Sequence, residues 1–137
     1  ETAYGLSVCD ILKISDNEIQ WFSGKEDYTE GIHMLQQTYQ IPLILLSMGK
    51  DGSRAYYKDM LVEVPAFLQK NTIETTGAGD TFGACCLHHI LKYGLDNLTK
   101  QQLKEMLTFA NAAASIITTR KGALRVMPSL EEIQRLL

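Results

Sequence analysis

Apolar and polar positions along this chain follow first one period and then another, and each switch marks an element. Residues 1–8 fit neither period, although the chain opens as if inside a helix. Residues 9–14 (CDILKI) are an apolar run of strand length. Ser15-Asp16-Asn17-Glu18 follows as a helix start, with serine at the cap and glutamate three residues on, and Gly24 ends that helix. Asp27-Tyr28-Thr29-Glu30 opens a second helix in the same manner. Ile32, Leu35 and Tyr39 then recur at helical spacing until Pro42. Residues 43–48 (LILLSM) are apolar almost without interruption, which suits a strand buried on both faces, as in a parallel sheet.

Gly49-Lys50-Asp51-Gly52 is a turn by composition, and residues 53–57 and 61–64 predict a hairpin across Lys58-Asp59. Residues 66–73 read as extended, and Gly77-Ala78-Gly79 as a second glycine-rich turn. A nearly all-apolar helix is expected over 80–93, closed by Gly94. Thr99-x-x-Gln102 caps another, with Leu103, Leu107, Ala110, Ala114 and Ile117 on one face. Residues 119–128 form a loop, and Ser129-x-x-Glu132 caps a last amphipathic helix. Strands and helices are interleaved, so the predicted class is α/β.

Composition narrows the function classes. With 137 residues, 45% hydrophobic and 21% charged, the chain has the make-up of a folded globular protein. Its net charge of −3 and the absence of a basic stripe argue against a nucleic-acid partner. No apolar run reaches the ~20 residues a bilayer span requires, so no membrane role is expected. Cys9, Cys85 and Cys86 are odd in number and sit in apolar surroundings. They read as free buried thiols of a reducing compartment, hence a cytoplasmic protein. His33, His88 and His89 have no metal-type spacing.

The chemistry concentrates at Thr75-Thr76-Gly77-Ala78-Gly79-Asp80-Thr81-Phe82. A glycine-rich turn leading into a helix aims backbone N–H groups at one point, and the helix dipole adds positive potential there. That is an anion site, and phosphate is its usual occupant. The loop lacks the Gly-Lys-Ser/Thr of a P-loop, and Phe82 spoils a dinucleotide fingerprint. Asp80 adds a carboxylate at the centre of the loop. A base beside an anion hole is what phosphoryl transfer to an alcohol needs.

Glu74–Asp80, E-T-T-G-A-G-D, resembles the D-T-x-G-A-G-D signature of the ribokinase-like, PfkB-type carbohydrate kinases, and the flanking sequence extends the likeness in the right order. Lys13-Ile14-Ser15-Asp16-Asn17-Glu18 resembles the N-x-x-E segment in its fructokinase-like form, which implies that Glu18 helps organise Mg²⁺ through water. Ser47-Met48-Gly49-Lys50-Asp51-Gly52 resembles the T-L-G-x-x-G loop that contacts nucleotide phosphates, which implies roles for Ser47, Gly49, Lys50, Asp51 and Gly52. Asn111-Ala112-Ala113-Ala114 resembles the helix beside the adenine pocket, with Asn111 as the nucleotide contact. Thr119-Arg120-Lys121-Gly122-Ala123 resembles the T-R-x-G-A loop near the nucleotide, which supplies carbonyls to a monovalent cation in many members and implies Gly122 as a nucleotide-binding residue.

The resemblance implies ATP and Mg²⁺ as cofactors, Asp80 as general base and Gly77, Ala78 and Gly79 as the anion hole. A sugar, fructose or a relative, would be the substrate. Glu74 and Thr76 correspond to monovalent-cation positions. Glu74 in place of Asp, and Val126 where ribokinases often have Ser, put K⁺ activation in doubt, and K⁺ stays open as a third cofactor. The implied fold is a three-layer α/β/α sandwich with a mostly parallel sheet. Residues 1–137 would be its C-terminal nucleotide-binding and catalytic part, without the sugar-binding half and its lid. Such a part is expected to be inactive alone and to associate with the missing half or with another copy. A ribokinase or nucleoside kinase of the same family, or a non-catalytic nucleotide-binding module, are the alternatives.

Overall fold

The computed structural model describes residues 1–137. Its elements are α1 (Thr2–Ser7), β1 (Ile11–Ser15), α2 (Asp16–Ser23), α3 (Tyr28–Tyr39), β2 (Leu43–Ser47), β3 (Ser53–Tyr57), β4 (Met60–Val64), α4 (Ala78–Tyr93), α5 (Lys100–Ile117) and α6 (Leu130–Leu136). The four strands form one sheet in the order β1-β2-β3-β4. β1 and β2 run parallel, in register from Ile11 opposite Leu43 to Ser15 opposite Ser47. The links from β2 to β3 and from β3 to β4 are far too short for a parallel crossover, so those pairs are antiparallel. The sheet of this chain is therefore mixed, with one parallel pair, rather than mostly parallel.

Two compact units divide the chain. One comprises residues 1–48 and 54–61, the other 49–53 and 62–137. In the first, Ser15 and Glu18 cap α2 reciprocally, and Gly24 ends it in a left-handed conformation. Asp27 accepts from the Thr29 and Glu30 N–H groups to start α3. That helix ends at Tyr39, with Gln40 left-handed, before Pro42 is reached. Gly31 lets α3 approach α2 closely: a Cβ there would lie 2.9 Å from Ile19 Cγ1. Ile14, Ile19, Ile32, Leu35, Ile44 and Leu46 form the core of this unit. Each such side chain contributes about 1.5–3 kcal/mol by leaving water. Leu43 and Leu45, on the opposite face of β2, are also buried, as its unbroken apolar run predicts.

In the second unit α4 packs on α5, and α5 on α6. α5 carries a reciprocal cap of Thr99 and Gln102, and α6 one of Ser129 and Glu132. Leu103, Leu107, Ala110 and Ile117 are buried as expected, and so are Met106, Ala112, Ala113 and Ser115. α5 is thus covered on more than one face, while Ala114 is only half-buried. Ala112, Ala113 and Ile133 make a small cluster with Phe67, Cys85 and Phe109 around it.

The three cysteines are free thiols. Burial pushes Cys85 up to about 11 and Cys86 higher still. No helix is long and apolar enough to cross a membrane.

Candidate functional site

α4 begins two residues before the predicted start, at Ala78, because Gly77 takes a left-handed φ of +78° and turns the chain into the helix. A Cβ at Gly77 would lie 3.0 Å from Ala123 Cβ and 3.2 Å from Ala123 Cα, so this loop and the one after α5 touch at glycine. The Ala78 N–H is taken up by Thr75 O at 3.1 Å, and the Thr81 N–H by Gly77 O at 2.9 Å. That removes Ala78 from the predicted set of anion-binding donors. Gly79 and Asp80 make no such backbone bond and present their N–H groups at the positive end of a 16-residue helix. Asp80 is exposed in the first turn, where its carboxylate meets solvent.

Gly52, Val64 and Asn111 meet in the second unit. Gly49 and Gly52 both have positive φ, +52° and +96°, and Lys50 and Asp51 stand exposed on the single 3₁₀ turn between them. Gly52 lies so close to the end of β4 that a Cβ would fall 2.2 Å from Val64 O. The same carbonyl accepts from the buried Asn111 amide nitrogen at 3.2 Å, and Pro65 O accepts from it at 3.0 Å. Asn111 therefore anchors α5 to the end of β4, beside the Gly49–Gly52 loop. Its amide nitrogen faces the protein, which leaves only its oxygen for any ligand.

Glu74 and Gly122, 48 residues apart in the sequence, are joined directly: Gly122 N–H donates to Glu74 Oε1 at 2.6 Å. Thr118 O accepts the Ile73 and Glu74 N–H groups at 2.8 and 3.2 Å. Arg120 is half-buried rather than a freely solvated charge. It donates to Val126 O at 3.0 Å and pairs with Glu132. Thr76 is exposed.

The remaining predicted residues lie in the first unit. Ser47 ends β2. The Glu18 Oε2 accepts the Ser15 N–H at 2.7 Å, and that bond holds its carboxyl below the usual carboxylate range. Glu18 borders an open groove of about 240 Å³ lined by Leu6, Leu12, Trp21 and Phe22. No three His, Cys, Asp or Glu side chains converge as a metal cage.

Thr81 has no sequence signal of its own. It is 3% exposed, and its hydroxyl has no hydrogen-bond partner.

Residues 3–130 match the family of pfkB family carbohydrate kinases. The chain is similar to the fructokinase of Klebsiella pneumoniae, 34% identical over 95% of this chain and 42% of that protein. Fructokinase-1 of Zea mays is 32% identical over 93% of this chain and 39% of its own length. Among solved structures, fructokinase from Vibrio cholerae O395 in its fructose-, ADP- and calcium-bound form superposes with a TM-score of 0.86, at 26% identity. That match covers 98% of this chain and 42% of that one. The chain thus spans about two-fifths of the length of the curated relatives it matches.

Proposed function

Since the chain belongs to the pfkB family of carbohydrate kinases, we propose that it is the catalytic and nucleotide-binding part of an ATP-dependent sugar kinase, with fructose or a closely related sugar as acceptor. The observation that carries this reading is the loop at Gly77–Asp80: unpaired Gly79 and Asp80 N–H groups, a helix dipole and a solvent-facing carboxylate at one point. The fructokinases among its relatives support the choice of sugar.

In the proposed reaction the Asp80 carboxylate takes the proton of a sugar hydroxyl. The hydroxyl oxygen bonds to the γ-phosphorus of ATP, the bond from that phosphorus to the β–γ bridging oxygen breaks, and ADP leaves. The Gly79 and Asp80 N–H groups stabilise charge on the transferred phosphoryl. Mg²⁺, when bound with ATP, neutralises phosphate charge, and Glu18 helps place it through water. Gly49, Lys50, Asp51 and Gly52, with Ser47 before them, line the phosphates and ribose. Asn111 fixes the loop beside it and offers its oxygen to the nucleoside. In the complete fold this sheet would extend into a three-layer α/β/α sandwich whose other half supplies the sugar contacts. The protein would act in the cytoplasm.

A screen of sugars with ATP, using the full-length protein, tests the reading. ADP release dependent on fructose or a near relative supports it. ATP binding with no sugar phosphorylated would instead favour a non-catalytic nucleotide-binding module.

A further inference from the structure

A stripe of polar residues runs along α5 among fully buried apolar ones. Asn111, Ser115 and Thr118 recur at i, i+4 and i+7, one above the other on the helix. Asn111 and Ser115 are each 7% exposed, beside Ala112, Ala113 and Ile117, which water does not reach. Buried polar groups need partners, and all three positions find one on the link between β4 and the Gly77 turn. Pro65 O accepts from the Asn111 amide nitrogen at 3.0 Å. The Ser115 hydroxyl accepts from the Gln69 amide nitrogen at 3.2 Å. Thr118 O takes the Ile73 and Glu74 N–H groups at 2.8 and 3.2 Å. The partners advance in the same order as the stripe, so residues 65–77 lie along α5 from its middle to its end. They join no strand, and no sheet ladder places them.

A glycine loop stands at each end of this link. At the first, Val64 O accepts from the Asn111 amide nitrogen at 3.2 Å, and a Cβ at Gly52 would fall 2.2 Å from the same oxygen. At the second, a Cβ at Gly77 would lie 3.3 Å from Ile117 Cδ1. Asn111 and Ile117 are about 9 Å apart along the helix axis, at about 1.5 Å per residue. One helix therefore touches both loops.

We propose that Asn111 and Ser115 are positioning residues: they lay 65–77 along α5 and so set the Gly49–Gly52 loop and the Gly77–Asp80 turn at a fixed separation. That these two loops share a phosphate chain rests on the kinase reading; the stripe and its partners do not.

Two arms test it on the full-length protein, with Asn111→Ala, Ser115→Ala and Leu103→Ala beside the parent. Leu103 is fully buried near the start of α5, outside the stripe, and is the control for lost stability alone. First, in sugar-dependent turnover, the KM for ATP should rise about tenfold in Asn111→Ala with a smaller change in kcat, the worth of one hydrogen bond. Inhibition by inorganic tripolyphosphate should weaken by the same factor, and inhibition by adenosine by less, because the phosphates are what the two loops hold. Leu103→Ala should leave the KM and both inhibitions within about twofold, since a smaller folded fraction lowers turnover and not affinity. Weakened adenosine with unchanged tripolyphosphate would make Asn111 a nucleoside contact and overturn the proposal. Equal weakening of tripolyphosphate in Leu103→Ala would overturn it too. Second, backbone hydrogen exchange needs no activity. Over 65–77 it should be about tenfold faster in Asn111→Ala, beyond any change in the rest of the chain, and faster there in Ser115→Ala as well. A uniform speed-up in all three variants overturns the proposal. If Asn111→Ala fails to fold, Ser115→Ala carries both arms, with the same direction and a smaller size. A parent that phosphorylates no sugar sinks the kinase reading and leaves hydrogen exchange to decide on the stripe.

Discussion

Gly52 is the residue whose replacement should separate a tight tertiary contact from a merely permissive turn. Two terms oppose Gly52→Ala. Its φ of +96° is a conformation L-residues avoid, at a cost of about 1–2 kcal/mol. The new Cβ would also stand 2.2 Å from Val64 O and 2.9 Å from both Ala66 N and Pro65 C. All three are backbone atoms, so no side-chain rotation relieves the clash, and overpacking of this kind costs about 1–3 kcal/mol. Moving the end of β4 away would in addition stretch the Asn111 bonds to Val64 O and Pro65 O. The sum is about 3–5 kcal/mol. Gly49→Ala is the control, because Gly49 also has a positive φ, +52°, but has nothing within 4 Å of its Cβ position. It should cost only about 1 kcal/mol. For a domain of this size each kcal/mol lowers the midpoint by roughly 3–4 °C. Thermal melts of the two variants beside the parent, followed by circular dichroism, should therefore show a loss of roughly 10 °C or more for Gly52→Ala and roughly 3–4 °C for Gly49→Ala. Equal, small losses in both would refute the packing argument.

Asn111→Ala should destabilise the protein by about 2–4 kcal/mol, because a buried and a part-buried carbonyl lose their donor, and a urea titration reads it directly. A variant with parent-like stability would mean that water or another donor replaces the amide. Glu18, Asp27 and Glu132 are all held below the usual carboxylate range, first by the N–H of Ser15, of Glu30 and of Ser129 respectively. A lowered folded-state pKa contributes stability that is present above the unfolded value and lost as pH falls through the folded one. Urea midpoints should therefore hold from pH 7 to about 5 and fall below that, less steeply in a Glu18→Gln, Asp27→Asn, Glu132→Gln variant. A parent profile flat to pH 3 would contradict the capping roles.

Local chemistry was the legible part of the fold. The caps at Ser15, Thr99 and Ser129 rest on residues three apart, and all three form as reciprocal boxes. The hairpin was equally visible, because Lys58 and Asp59 interrupt two short apolar stretches. α1 was not, since its six residues have no side-chain cap and bury only Leu6. β1 starts two residues later than its apolar run, because Cys9 still belongs to the end of α1 through its N–H bond to Leu6 O. The stretch 66–73, expected to be extended, joins no strand and is broken by a turn at Lys70-Asn71.

At the site, the glycine turn and Asp80 stand out in the sequence because a single short segment carries them. What sequence could not reveal depends on distant partners. Asn111 stands out beside its run of alanines, but the bonds of its amide nitrogen to carbonyls 46 and 47 residues away are invisible locally. Glu74 stands out by its place in the signature, but its bond from the Gly122 N–H, 48 residues on, is invisible locally. Arg120 has no local signal of its tertiary link to Glu132. Thr81 has no pattern to betray it, because its interest is an unbonded hydroxyl in a buried place.

The central claim is that Asp80 is the base of a phosphoryl transfer. Asp80→Asn in the full-length protein tests it, with ATP affinity measured by calorimetry and sugar-dependent turnover by ADP release. The carboxamide is nearly the same size and keeps the loop, but it cannot take a proton. Turnover should fall by at least ~10²-fold, the usual range for a lost general base, while ATP affinity stays within about threefold. Turnover near that of the parent, with ATP still bound, would contradict the account.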